Sequence, residues 1–206
     1  MLDVTRVLAV GAHPDDIEIG CLGFLLKLGG SVEKHLYFAS LGSEGDPTSG
    51  PSRRAESEAA CACLEPASIT FRERVGILPS DHIEIMTDIA RLLDRGRPDL
   101  VLVGSVHDTH QEHHYVYHAT VSALRRSRVS LATYCGNSAT LDFRPTVFVD
   151  IAAVVETKLQ ALAKHQSQNN KGYLTREFFD VFHAHPYAVV NGIHCCERFE
   201  PVRLFC

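Results

Sequence analysis

The chain has 206 residues, 45% of them hydrophobic and 22% charged, with a net charge of −5 when histidine is neutral. This is the size and composition of one soluble globular domain, and we read residues 1–206 as a single unit. No basic patch for nucleic acid is present beyond the short pairs Arg53–Arg54 and Arg125–Arg126, and no apolar run reaches the ~20 residues that span a bilayer.

The elements follow in chain order. Arg6–Val10 is a short β-branched and apolar run, which predicts a buried strand. The start of the chain lacks the basic region and cleavage site of a signal peptide, so the expectation is a cytoplasmic protein. The spacing of Ile17, Ile19, Leu22, Phe24, Leu25 and Leu28 predicts a helix from Asp16, ended by Gly29–Gly30. Val32–Ser40 reads as a second strand, and residues 42–52 (GSEGDPTSGPS) as a loop. Arg53–Leu64 reads as a helix, Ser68–Phe71 as a strand and Asp81–Arg95 as a periodic helix. Asp99–Val103 is the continuous apolar run of a buried parallel strand. His114–Ser127 reads as a helix, Thr146–Val149 as a strand, and Ile151 to His165 as a helix. The last 35 residues show only a helix near Thr175–Phe182 and an apolar tail. Alternating strands and helices predict an α/β fold with a mostly parallel sheet and helices on both faces.

In such sheets, ligands bind beyond the carboxyl ends of the strands. Two polar clusters fall there. The first is Ala12-His13-Pro14-Asp15-Asp16, after the first strand. The second runs from His107 to His114, after the strand ending at Val103. Proline and acidic residues also suit a plain helix start. That reading does not account for His13 or for the histidines of the second cluster. Together the two clusters predict a metal site of His and Asp ligands.

His13 and Asp16 are three apart and can face one point as a helix begins. A third ligand must come from the loop holding His110 and His113, while His114 points elsewhere. Three protein ligands with an open position is the catalytic arrangement for zinc, with Fe²⁺ or another divalent ion as the alternative. Asp15 is then free to hold water and act as general base. Asp108 could hydrogen-bond His110 and hold its charge and tautomer. Ser43, Glu44, Arg53 and Arg54 are weaker candidates for substrate contacts. Seven cysteines without paired CxxC motifs argue against a disulfide framework. Cys61 and Cys63 read as small buried hydrophobes, and His82, His118 and His165 as structural or surface residues.

AHPDD with a distal HxxH loop resembles the LmbE-like, or PIG-L, superfamily of zinc-dependent de-N-acetylases. SLGSEGD, RRAE, RPDLVLVGS and FRPTVFVDIAAVVETKLQALAKHQSQ extend the resemblance over most of the chain. It implies a Rossmann-like fold and removal of an acetyl group from an amino sugar or sugar conjugate. It implies zinc on His13, Asp16 and His113, Asp15 as general base, and His110 as a protonated group aiding the oxyanion or leaving amine. The partner is a small N-acetylated sugar, and a homo-oligomer is compatible with the sequence. The sequence departs from the family in HQEH, where HPDH is frequent, and at His185-Pro186, where Arg-Gly is usual. Two rivals follow from the residues alone: a non-haem Fe(II) enzyme built on two His and one carboxylate, and a non-catalytic sugar- or metal-binding module.

Overall fold

A computed structural model describes residues 4–42 and 49–205. The first strand, β1 (Arg6–Gly11), is followed by two short helices, α1 (Asp16–Gly20) and α2 (Leu22–Lys27). Next come β2 (Glu33–Phe38), α3 (Gly50–Cys61), β3 (Ser68–Phe71), α4 (His82–Gly96) and β4 (Leu100–Gly104). The remainder comprises α5 (Gln111–Leu124), β5 (Ser130–Tyr134), β6 (Val147–Asp150), α6 (Val155–Leu162), α7 (Arg176–Phe182), α8 (Pro186–Val190) and β7 (Cys196–Arg203). The seven strands form one sheet in the order β3-β2-β1-β4-β5-β7-β6. The first five in that order are parallel, and β7 runs antiparallel to both of its neighbours.

Burial on both faces explains the unbroken apolar runs. In β1, Val7 and Ala9 pack into one core while Leu8 and Val10 pack into the other, and β4 splits Leu100 and Leu102 from Val101 and Val103 in the same way. Helices α1, α2, α3 and α6 pack together over one face, and α4 and α5 over the other. The chain therefore leaves β1 toward one face and β4 toward the opposite face. These strands are neighbours, so the sheet's topological switch point lies between their carboxyl ends.

Several expectations change. The single helix predicted from Asp16 is broken at Cys21, whose φ is −147°. The break is held from outside. The fully buried Lys158 ammonium, from α6, donates to the Ile19 carbonyl at 2.7 Å. Glu197, from β7, accepts from the Gly23 and Phe24 N–H groups at 2.7 and 2.6 Å, capping α2, and pairs with Lys158 at 2.6 Å. Helix α5 begins at Gln111 rather than His114, because the His110 side chain caps it. Strands β5 and β7 are additions to the sequence reading. β7 carries Pro201 opposite Ala132, where the ladder with β5 shifts register, a position that tolerates a residue without an N–H. Cys61 is core as expected, whereas Cys63 is exposed. His165 is fully buried, 3.2 Å from Glu18, and His118 is exposed. Among the described residues, no helix is long and apolar enough to cross a membrane.

Removing one member of a buried ion pair strands the other. Glu197→Ala should therefore cost about 3–5 kcal/mol of unfolding free energy in urea titrations. A loss below ~1 kcal/mol would show that the α1–α2 break does not depend on this pair.

Candidate functional site

The loop after β1 turns tightly. The Ala12 and His13 N–H groups both donate to Asp16 Oδ2 at 2.8 Å, which fixes that carboxylate at the foot of α1. Asp15 occupies the helix-start position with φ 128° and ψ −25°, outside the regions open to ordinary residues, and its side chain makes no capping hydrogen bond. Its carboxylate is turned elsewhere, so a plain helix start does not explain it. Oδ2 accepts from Arg53 Nη2 at 3.2 Å and from the Tyr173 hydroxyl at 2.9 Å. Burial raises the Asp15 pKa, and the Arg53 guanidinium partly offsets it.

The loop after β4 is organised by Asp108, which is buried. Its Oδ1 accepts from the His110 N–H at 2.8 Å and from the Ser138 hydroxyl at 2.6 Å. Its Oδ2 lies 3.0 Å from Nδ1 of His113. This corrects the expected Asp108–His110 side-chain pair: the carboxylate orients the ring of His113 and touches His110 only through its backbone. His114 turns back to the Asp108 carbonyl at 2.6 Å, away from the other rings.

His13, Asp16 and His113 converge, with one ligand atom from each lying within 4.8 Å of the others. His13 Nε2 is taken by Glu112 at 2.8 Å, leaving Nδ1 toward the cluster. His113 Nδ1 is taken by Asp108, leaving Nε2. That Nε2 lies 3.3 Å from His13 Nδ1 and 3.4 Å from Asp16 Oδ1, and His13 Nδ1 lies 3.7 Å from Asp16 Oδ2. Tetrahedral zinc with bonds of about 2.0–2.1 Å has ligand separations of about 3.4 Å. The donor set thus fits a divalent cation. Although burial opposes it, the Asp16 and Asp108 carboxylates push the His113 pKa well above its ordinary value, so the cluster takes up positive charge readily.

His110 stands over this cluster, its ring centroid 4.8 Å from those of both His13 and His113. Its Nδ1 accepts from the Glu112 N–H at 3.2 Å. An imidazolium has no acceptor nitrogen, so this cap holds the ring neutral, with its proton on Nε2. Burial, then the neighbouring His13 and His113, lower its pKa. The family resemblance implies a protonated His110, whereas this cap and the downward pKa direction favour a neutral donor.

The substrate candidates separate. Arg53 is buried beneath the site, donating to the Pro14 carbonyl at 2.9 Å, to the Gly42 carbonyl and to Asp15. It is tied to Asp15 and to backbone carbonyls while still forming part of the wall of the cavity at the cluster. Arg54 is half-buried and bound to Glu58 at 3.0 Å and Glu73 at 2.5 Å. Ser43 and Glu44 lie outside the described residues. An open cavity of about 130 Å³ leads to the cluster, walled by Asp15, Arg53, His110, Asn137, Ser138 and Tyr173. Sequence reasoning missed two contributors. Glu112 was visible only as a departure within HQEH, and Tyr173 lies 158 residues from Asp15 with no local signal.

The family model for GlcNAc-PI de-N-acetylases (PIG-L) matches residues 8–124. The chain is 34% identical over 173 residues to the uncharacterized deacetylase YaiS of Escherichia coli (strain K12), covering 78% of this chain and 90% of that protein. It is 26% identical over 189 residues to the diacetylchitobiose deacetylase of Thermococcus kodakarensis, covering 81% of this chain and 71% of the relative. The fold is shared with the 4-carboxy-2-hydroxymuconate hydratase GalB of Pseudomonas putida KT2440. There the TM-score is 0.80, the identity 18% and the coverage 98% of both chains. A family match over more than half its length, carrying both polar clusters' strands and loops, places this chain in the PIG-L, or LmbE-like, de-N-acetylase family.

Proposed function

We propose that this protein hydrolyses the N-acetyl (N-acyl) group of an amino sugar or sugar conjugate. The observation that carries the reading is the pairing of a three-residue cation site with Asp15, a buried carboxylate beside it that takes no part in the ligand cluster. The family's description and the Thermococcus relative support an acetylated sugar as substrate. His13, Asp16 and His113 are assigned as ligands for zinc, with Fe²⁺ or another divalent ion as the alternative. When bound, the ion would supply Lewis-acid polarisation of the amide and acidify water.

The chain's own residues do the rest. Arg53 and Tyr173 hold one oxygen of Asp15, so its other oxygen takes the proton of the attacking water. Burial raises the basicity of that carboxylate toward the working range. As the tetrahedral carbon forms, His110 Nε2–H donates to the developing oxyanion. The proton on Asp15 passes to the amide nitrogen, the C–N bond breaks, and a carboxylic acid and a free amine leave. Asp15 thus serves both halves of the reaction, which a neutral His110 requires.

The zinc-loaded protein should release free amine from N-acetylated sugars in a fluorogenic amine screen. A hydratase would add water to a C=C bond without releasing amine, and an oxygenase would consume O₂; either result would displace the reading. Asp15→Asn should keep the metal and lose about 10²–10⁴-fold in rate. Loss of metal in that variant would make Asp15 a ligand instead. Asp108→Ala should weaken metal affinity about 10–100-fold in chelator competition, because His113 loses its orienting partner. Unchanged affinity would detach Asp108 from the metal site. His110→Ala should lower kcat about 10²–10³-fold. On this reading His110 works as a neutral donor, in line with the downward direction of its pKa. The shape of the pH–rate profile should therefore survive in His110→Ala while its height falls. An alkaline limb that vanishes with the ring would restore the protonated-histidine role.

A further inference from the structure

The two side chains that grip Asp15 arrive by different routes. Arg53 stands on α3, a helix of 12 residues. Tyr173 follows a 3₁₀ turn, Gln166–Lys171, between α6 and α7, and most of that turn is exposed. The backbone N–H groups of Gln168 and Tyr173 reach only to the His165 and Lys171 carbonyls, at 3.0 and 2.9 Å. Main-chain bonds of this kind shape the turn but do not carry the Tyr173 hydroxyl to a buried carboxylate.

Side chains of the turn do. The Ser167 N–H and hydroxyl donate to the two carboxylate oxygens of Glu56, on α3, at 2.9 and 2.6 Å. A carboxylate accepts only, so the one hydroxyl proton of Ser167 is spent there. Ser167 Oγ in turn accepts from Gln168 Nε2 at 3.1 Å. That bond fixes which way round the buried Gln168 amide lies and leaves its Oε1 to the Tyr173 hydroxyl, 3.3 Å away. The same hydroxyl lies 2.9 Å from Asp15 Oδ2. The nearer, charged acceptor holds the larger share of the phenolic proton. Gln168 gives the hydroxyl a second polar partner against the pull of the open cavity that Tyr173 lines.

We propose that Ser167 and Gln168 are positioning residues for the base: through Tyr173 they fix where the Asp15 carboxylate points. This rests on the amide-hydrolase reading and deepens it. Glu56 and Arg53 stand three residues apart on one face of α3, so a single helix references both donors on Asp15 Oδ2. The start of the turn is tied to the helix that Asp15 opens, because His165 is fully buried 3.2 Å from Glu18 of α1. Without Tyr173, one donor would remain and the carboxylate could rotate about its Cβ–Cγ bond. A displacement of about 1 Å at a reacting group can cost ~10²-fold in rate.

The test compares zinc-loaded full chains carrying Gln168→Leu, Ser167→Ala, Tyr173→Phe, or Gln168→Leu with Tyr173→Phe. Amine release from N-acetylglucosamine gives kcat and KM. Tyr173→Phe, which loses a bond to a charged group, should lower kcat about 10–100-fold, and Gln168→Leu, which loses a neutral one, about 2–10-fold. KM should hold in Gln168→Leu and Ser167→Ala, and zinc affinity in chelator competition should hold in every variant. The double variant should be no slower than Tyr173→Phe, because Gln168 acts through that ring. Ser167 is exposed, so Ser167→Ala serves should Gln168→Leu fail to fold. A second readout needs no turnover. With ¹³Cζ-labelled tyrosine, the Tyr173 line, assigned by its loss in Tyr173→Phe, should move in Gln168→Leu, Ser167→Ala and Asp15→Asn. Losses that multiply in the double variant would overturn the proposal, as would a Tyr173 line that ignores both Ser167 and Gln168. Zinc lost in step with kcat would also overturn it, since the turn would then support the whole site rather than the base. If amine is released while these changes leave kcat and the line untouched, the positioning chain falls and the hydrolase reading stands. If the line moves but no acetylated sugar releases amine, the chain from Glu56 to Asp15 stands and the substrate reading falls.

Discussion

The contact on which this site turns is the approach of His113 Nε2 to His13 Nδ1, 3.3 Å apart with carboxylate oxygens on either side. Each ring has its other nitrogen committed, to Asp108 and to Glu112. A proton donated outward leaves an inward lone pair on both rings. Two lone pairs and a carboxylate facing one another repel unless positive charge comes between them. The outer carboxylates thus favour a cation among these side chains in two ways, by taking the outward proton of each ring and by adding negative charge behind it. The sheet makes this possible. At the β1/β4 junction two adjacent central strands send their loops to opposite faces, leaving a crevice in which residues about 100 apart can meet.

Much of this was legible in the sequence. Apolar runs buried on both faces announce a parallel sheet, and polar clusters directly after two such runs announce the crevice. His13 and Asp16 could be proposed because strand ends fix where loops point, while the choice of His113 over His110 came from the family resemblance. The contacts between loops were not legible. Asp108 stands two residues from His110, which suggests a local pair, yet the backbone turn that lets it accept the His110 N–H carries its other oxygen to His113. Arg53 read as a weak candidate for a substrate contact, because nothing local shows that it donates to Asp15, Pro14 and Gly42. Tyr173 comes from a segment whose sequence carries no strong periodicity.

The same distinction holds for the fold. β5 and β7 escaped because β5 is a five-residue strand and β7 mixes glutamate, arginine and proline with its apolar positions. Tertiary pairing, not propensity, makes them strands. The continuous helix expected from Asp16 to Leu28 fails for the same reason. Its central carbonyl and N–H groups are claimed by Lys158 and Glu197, which arrive from elements more than 130 residues away.

Asp15 shows what these long-range contacts are for. Its backbone sits at φ 128°, a conformation worth roughly 1–3 kcal/mol of strain, and its carboxylate is buried. Neither feature would survive in a segment free to relax. Both are held because the residues around it have no other place to go: Asp16 is tied to the Ala12 and His13 N–H groups, and Arg53 and Tyr173 grip the Asp15 carboxylate. The consequence is chemical. A relaxed Asp15 would cap α1 with its side chain, satisfying the helix and losing its basicity to backbone N–H groups. The strained one leaves the helix uncapped by its carboxylate and keeps an oxygen for water. The strain lies at the residue to which the proposed reaction gives the role of base, and the two supports that hold it there, Arg53 and Tyr173, come from segments far apart in the chain.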